Sequence, residues 1–419
     1  MYLSERPRPE ASDATPTARL SRRVAPTVVL LGFVSLLTDV SSESVSAVLP
    51  IYLTAVLGLS PLAYGFIDGL YQGVSALVRI LDGWLADRAD RPKWIAFLGY
   101  GLSAITKAAL IPLHGFAAVT AVITLDRLGK GLRTAPRDAM IAASSPSESL
   151  GRAFGVHRAL DTAGAAMGPL LAFTILWIVP GQYTSVFVAS FAAALLGLAL
   201  LVLMVPDLRP RRAAARGPTL PVAPSLRTMV RTGLGRLMLT AALLGILSIS
   251  DGFLYLSLQQ RDDMAATWFP LLFVGTNVAY FTLAVPLGRL SDRVGRAPVL
   301  VGGHLLLVGA YLSAAGPAGG LLMTLLCLLL LGAFYAATDG VLAALTASLV
   351  PTPVLAVGIA TTQTVVALAR FASSLLFGLL WSTIGRGAAV YGFAIALLVA
   401  IPAAWFLLRG LRSRDEAGG

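Results

Sequence analysis

The chain has 419 residues, 57% of them hydrophobic and 13% charged, with a formal net charge of +11. Soluble domains carry about 25% charged residues, so a water-exposed fold of ordinary composition is excluded. An integral membrane protein is indicated, each spanning helix needing roughly 20 apolar residues.

Residues 1–22 are polar, Pro-rich and without the apolar core of a cleavable signal, and read as a disordered cytoplasmic tail. Twelve apolar runs follow, near 26–57, 60–86, 93–113, 116–143, 149–178, 182–205, 235–258, 265–290, 297–315, 318–348, 353–383 and 388–409. An Arg- and Pro-rich stretch, 206–234, separates six runs from six. The expected organisation is a six-helix bundle at 23–205, a cytoplasmic linker at 206–234, a second bundle at 235–410 and a cytoplasmic tail at 411–419. With the N-terminus in the cytoplasm, Arg261 and Arg386 are the only basic residues in connecting segments on the far side. That is the positive-inside asymmetry. It places both termini in the cytoplasm and the chain in the inner (cytoplasmic) membrane, and it attributes the basic excess to topology, with no nucleic-acid partner expected.

Span 1 contains "SLLTDVSSESVS", in which Ser35, Asp39, Ser42, Glu43 and Ser46 share one helical stripe and Asp39 lies near mid-membrane. An ionised acid at that depth is costly, which ties its protonation to its surroundings. Asp39 is the first candidate for a proton site and Glu43 the second; the alternative is that Asp39 simply pairs with Lys130 or another buried base. Span 2 aligns Asp68, Gln72, Ser75 and Arg79, and span 3 carries Lys107. Span 4, with "TLDRLGKGLRTAPRDAM" at 124–140, is the most charged. Asp126 is expected roughly 15 Å deep and Arg133 roughly 25 Å. The spacing of a phosphate-binding loop is absent and no strand precedes it. On a helix Asp126, Lys130, Arg133 and Arg137 fall within about 60°, while Arg127 points about 100° away from Asp126. A charge facing lipid costs about 2.5–3.5 kcal/mol on an insertion scale, so this stripe is predicted to line a buried cavity; the alternative is a shorter span whose charged end protrudes into the cytoplasm.

Span 5 reads "GVHRALDTAGAAMGPLLAF". Arg158 and Asp161 lie one turn apart and are expected to pair, and His157 is read as packing. Gly155, Gly164 and Gly168 permit close helix approach, and Pro169 permits bending. In the second half Asp251, Asp339 and Arg370 are almost the only intramembrane charges. Tyr255, Phe334 and Tyr335 nearby are expected either to line an amphipathic cavity or to pack. Cys327 is the single cysteine and excludes an intrachain disulfide; His114, His157 and His304 are isolated, so no metal and no cofactor is expected.

Charges recur at a nearly constant offset: Asp39 and Asp251 by 212, Asp126 and Asp339 by 213, Arg158 and Arg370 by 212. "GWLADRADR" at 83–91 matches "GRLSDRVGR" at 288–296. Intramembrane charges are rare, so the coincidences point to two six-helix halves in parallel.

On these residues the sequence resembles the major facilitator superfamily over essentially its whole length. The loop motif of that family is represented by Gly83, Asp87, Arg88 and Arg91 in the first copy, and by Gly288, Asp292, Arg293 and Arg296 in the second. These eight are the expected conformational gate. Their aspartates can meet helix N-termini across the halves, at Thr352-Pro353 for Asp87 and at Ser145-Pro146 with Glu148 for Asp292. Arg127-x-x-x-Gly131 resembles the family's fourth-helix motif, which implies a role for Arg127 in proton transfer, with Lys130 where glutamine is common. Gly155, Gly164, Gly168 and Pro169 resemble the fifth-helix signature of drug/proton antiporters, with Ala172-Phe173 in place of the usual Gly-Gly.

The expected fold is all-α, with twelve transmembrane helices in two pseudo-symmetric six-helix bundles. The expected function is alternating-access transport of a small molecule, by proton-coupled efflux, in a protein that works as a monomer in the lipid bilayer. Proton coupling is assigned to Asp39, Glu43, Asp126 and Arg127. The substrate cavity is assigned to Lys107, Lys130, Arg133, Arg158, Asp161, Asp251, Tyr255, Tyr335, Asp339 and Arg370. The alternative is uptake or facilitated diffusion of an anionic or zwitterionic metabolite, drawn by the basic groups. No nucleophile–His–acid set supports an enzyme.

Overall fold

A computed structural model describes residues 24–88, 91–146, 149–207, 233–350 and 355–409, with the side chains at 75–77, 79–88 and 355–356 outside the description. Among the described residues there is no strand, and thirteen α-helices make up twelve spans. The first half contains α1 (Pro26–Ile51), α2 (Pro61–Arg88), α3 (Pro92–Ala109), α4 (Phe116–Ala143), α5 (Leu150–Ile178) and α6 (Tyr183–Met204). A π-helical turn, Tyr52–Val56, prolongs α1. The second half contains α7 (Leu234–Ile246), α8 (Asp251–Arg261), α9 (Phe269–Val294), α10 (Arg296–Ala315), α11 (Leu321–Leu349), α12 (Leu355–Ile384) and α13 (Arg386–Leu408). Prolines at the first turns of α1, α3 and α9 start those helices where no intrahelical donor is lost. Gly295, at φ +101°, makes a one-residue link between α9 and α10, a conformation that a side chain would strain.

Among the described residues nine segments are long and apolar enough to cross a membrane by composition alone. The other three spans, α2, α3 and α4, fall short because they carry much of the first half's charge. Of those charges Lys107, Asp126, Arg127 and Arg133 are buried, while Leu203, Val399 and Phe406 face outward. This inversion of the soluble pattern is what a lipid solvent demands.

The halves repeat one packing scheme. In the first, α1 packs on α5 and α6, α3 on α4 and α6, and α2 on α4. In the second, α7 packs on α12 and α13, α10 on α11 and α13, and α9 on α11. The halves then meet by a matching exchange, α2 against α12 and α5 against α9. Within the first half, α5 lies hard against α1: a Cβ at Gly164 would sit 2.4 Å from the Leu36 carbonyl oxygen, and one at Gly168 2.8 Å from the Ser44 nitrogen. The seam between halves is equally tight at the end remote from the chain termini. A Cβ at Gly65 would lie 2.4 Å from the Ser374 carbonyl, and one at Gly378 2.6 Å from the Pro61 carbonyl. At the same end Trp268 packs on Phe173 and Trp177, with ring centroids 5.5 and 5.3 Å away.

The seventh span, expected to be continuous, is broken at residues 247–250 between α7 and α8. Backbone groups freed inside a membrane protein need internal partners, and they have them. The Tyr311 hydroxyl donates to the Leu247 carbonyl at 2.9 Å and accepts from the Ile249 N–H at 2.7 Å. Ser373 donates to the Ser248 carbonyl at 2.8 Å.

Candidate functional site

The charged face of α4 is met, base by base, by acids from its neighbours. Asp126 accepts from Lys107 of α3 at 2.5 Å, from Ser103 at 2.6 Å and from Thr106 at 3.2 Å. Arg127 reaches the other oxygen of Asp126 at 2.5 Å and lies over the Tyr71 ring at 3.8 Å. The helical wheel had Arg127 facing away; the long side chain curls back, because a buried guanidinium without an acid is costly. One turn on, Lys130 is 3.6 Å from Glu43 of α1, a pair that stays partly exposed. A turn further, Arg133 lies 3.6 Å from Asp39 and over the Tyr100 ring at 4.7 Å. Arg137 contacts Asp138 at 3.0 Å, Asp161 of α5 at 3.6 Å and the Ser35 hydroxyl at 3.2 Å.

Two cavities lie between the halves. One, of about 250 Å³, is lined on the first half by Glu43, Asp68 and Tyr71 and on the second by Asp251, Tyr335 and Arg370. The other, of about 380 Å³, runs along α7, α10, α11 and α12 past Asp339 and His304. Both include Gln72, Ser248, Phe334 and Arg370, so they form one continuous chamber. The broken span puts its non-helical residues, 248–250, on the chamber wall. Tyr335 donates a hydrogen bond to Asp251, and Arg370 lies over the Tyr335 ring at 5.7 Å. Across the seam, Ser374 of α12 donates to Asp68 of α2 at 2.6 Å.

The expected site residues therefore separate into groups. Glu43, Asp251, Tyr335, Asp339 and Arg370 face the chamber. Asp126, Arg127 and Lys107 border a far smaller void, about 20 Å³, inside the first half. Asp39 and Arg133 are buried against each other, and Lys130 stands beside Glu43. Lys107, Lys130, Arg133 and Asp161, expected in the substrate cavity, line neither of the two chamber cavities, because each is held in an ion pair within the first half. Two further expectations are corrected. Tyr255 is fully buried and donates to Thr276 at 2.7 Å, away from the chamber wall, because its hydroxyl finds its partner on α9. Arg158 does pair with Asp161, at 3.3 Å, but its side chain is 78% exposed and lines neither cavity.

In the expected gate, the side chains of Gly83, Asp87 and Arg88 lie outside the described residues, as do Glu148, Thr352 and Pro353. Arg91, Asp292 and Arg293 are exposed, and Arg296 donates to the Ala344 carbonyl at 3.1 Å, tying α10 to α11. In the fifth-helix motif, Gly164 and Gly168 are buried against α1 and Pro169 is buried, while Gly155 opens onto free space. Asp68, Ser374 and Tyr311 were not assigned to the site from sequence. Asp68 carried a signal as an acid on a polar stripe; the other two carried none.

Two symmetric six-helix bundles, apolar outside and enclosing a polar chamber at their interface, define a multi-pass membrane transporter. The chain belongs to the Major Facilitator Superfamily, whose profile matches residues 31–275. An uncharacterized MFS-type transporter of Methanocaldococcus jannaschii is 32% identical over 390 residues, covering 90% of this chain and 94% of the relative. The multidrug resistance protein MdtH of Cronobacter sakazakii is 26% identical over 297 residues, 67% of this chain and 68% of that protein. Among solved structures, the nucleoside transporter NupG superposes with a TM-score of 0.78 at 13% identity, covering 92% of this chain and 99% of that one, a likeness of fold.

Proposed function

We propose that this transporter is a proton-coupled exporter of the inner membrane, with both termini cytoplasmic, working as a monomer. One observation carries the reading. The Glu43–Lys130 pair is long, partly exposed and on the chamber side, whereas Asp39–Arg133 lies a turn deeper and buried. A proton entering the chamber meets Glu43 first and Asp39 next, each beside a base that holds the carboxylate when the proton leaves. Asp126, with Arg127 and Lys107, forms the inner anchor of this relay. The tight α2–α12 seam then closes the outer side, and rocking of the halves exposes the chamber alternately. The likeness to a multidrug resistance protein supports export over uptake.

The test uses everted vesicles with an acidified lumen and a panel of organic cations, zwitterions and anions. An exporter by antiport dissipates the gradient when its substrate is added outside, and Asp39→Asn or Glu43→Gln abolishes this. A gradient left intact by every transported compound overturns antiport in favour of facilitated diffusion. An Asp39→Asn protein that still couples like wild type removes Asp39 from the mechanism.

A further inference from the structure

We propose that the chamber takes an organic cation, a protonated amine or guanidinium on an apolar or aromatic body, with its charge held between Asp68 of the first half and Asp251 of the second. The inference names the substrate class of the transport site and so rests on the chamber being that site. It begins with where the positive charge has gone. Lys107, Arg127, Lys130, Arg133 and Arg137 of the first half each sit within 4.0 Å of an acid from α1, α4 or α5. The basic stripe of α4 is therefore spent on internal acids and offers little to an anionic ligand.

The chamber wall has the opposite balance. Among the described residues its carboxylates are Glu43, Asp68, Asp251 and Asp339, and against them stand only Arg370 and the His304 ring, which is held at 2.8 Å from the Leu300 carbonyl. Glu43 has Lys130. Asp68 and Asp251 instead accept from hydroxyls, Ser374 and Tyr335, and among the described residues no base stands within salt-bridge distance of either. Arg370 lies against the Tyr335 ring, and even a full pairing with one acid leaves two carboxylates unmatched. A cationic ligand complements this wall, whereas an anion would be desolvated against unmatched carboxylates, which is heavily unfavourable.

The remaining walls say what carries that charge. Tyr64, Tyr71, Phe273, Phe334 and Tyr335 surround the smaller cavity. Aromatic faces attract cations and bury apolar bodies, a combination suited to an amine with a ring or alkyl frame. A metal ion is disfavoured: among the described residues no group of three His, Cys, Asp or Glu side chains is placed to hold one. The larger cavity, about 380 Å³, falls within the range of small-molecule sites, and the smaller, about 250 Å³, opens into it. With one carboxylate on each half, a bound cation bridges the moving bodies and reports its presence to both.

The experiment uses the full chain in lipid nanodiscs and three near-isosteric probes: 1-naphthylmethylammonium, 1-naphthylmethanol and 1-naphthoate. Binding is read by naphthalene fluorescence against empty nanodiscs. The ammonium ion is expected to bind, with the alcohol and the carboxylate at least about tenfold weaker. Asp68→Asn and Asp251→Asn are each expected to weaken the ammonium about 30-fold, and Arg370→Gln, which removes a cation from the wall, to tighten it. Naphthoate binding as well as the ammonium overturns the proposal, as does wild-type ammonium affinity in both Asn variants. The wild-type comparison needs no variant, so a misfolded mutant does not spare the idea. Because binding is measured without a gradient, a cation that binds but moves no protons in vesicles refutes antiport alone. An anion that drives proton exchange refutes the cation site alone.

Discussion

Replacing Asp126 by Asn keeps the shape of the side chain and removes its charge. In the native protein that carboxylate faces two cations, Lys107 and Arg127, whose residues are only 2% and 3% exposed. Leaving a buried charge without its partner costs about 3–5 kcal/mol. Arg127 keeps part of its compensation through the Tyr71 ring at 3.8 Å, a contact worth about 1–2 kcal/mol when desolvated. Lys107 has no other acid within 4.0 Å among the described residues, so the larger loss falls there. The protein contains its own reporter: Cys327 is the only thiol and is fully buried between α10 and α11, donating to the Ala310 carbonyl. A fluorogenic thiol dye then reads unfolding in detergent directly. Extending the size scaling of melting temperatures to this chain gives about 1–2 °C per kcal/mol, so Asp126→Asn is expected to lower the midpoint by about 5 °C. Adding Lys107→Met removes the stranded ammonium and is expected to restore about half of the loss. A variant within about 1 °C of wild type refutes the reasoning. So does a double variant less stable than Asp126→Asn alone.

Two further outcomes are expected. Outside the spans, the Arg261 guanidinium hydrogen-bonded to Asp262 holds its carboxyl well below the usual carboxylate range, with help from the Gly320 N–H and the Thr324 hydroxyl. A depressed native value means a contribution that is complete above about pH 4 and lost as pH falls through the native value. Melting curves of Asp262→Asn should start lower at pH 7 and show a flatter acid limb; an unchanged acid limb counts against the contact. On α5, Gly164→Val forces a side chain into the backbone of α1 and should cost about 1–3 kcal/mol. Gly155→Ala meets open space and should be neutral or slightly stabilising. Equal effects of the two in the thiol assay contradict the packing described for this motif.

Hydropathy made most of the twelve spans legible, because lipid demands apolar helices, and punctuation by Gly, Pro and Arg with the spacing of the charges made the rest and the two-half repeat legible. The acids and bases of the first half were legible as a set, since charges inside a membrane are few. Their pairing was not. Whether Asp39 meets Lys130 or Arg133 depends on the rotation of α1 against α4, and a helical wheel places Cα directions while a long Arg or Lys chooses its own. The Asp68–Ser374 contact spans 306 residues and two halves, and nothing local announces it. The break in the seventh span was hidden because 234–261 is apolar enough on average to read as one span; its trace, Ser250 followed by Asp251, is the residue pattern that opens a helix.

That break also bears on how the protein is made. Neither α7, with 13 residues, nor α8, with 11, is long enough to cross a bilayer alone, so the insertion machinery receives 234–261 as one apolar segment. The groups that later satisfy its opened backbone are Tyr311, some 62–64 residues downstream, and Ser373, 125 residues downstream. Until they emerge from the ribosome, an unbroken helix is the only form of this segment with its hydrogen bonds made. The chamber wall at 248–250 is thus a late product of synthesis, completed when the eleventh span arrives.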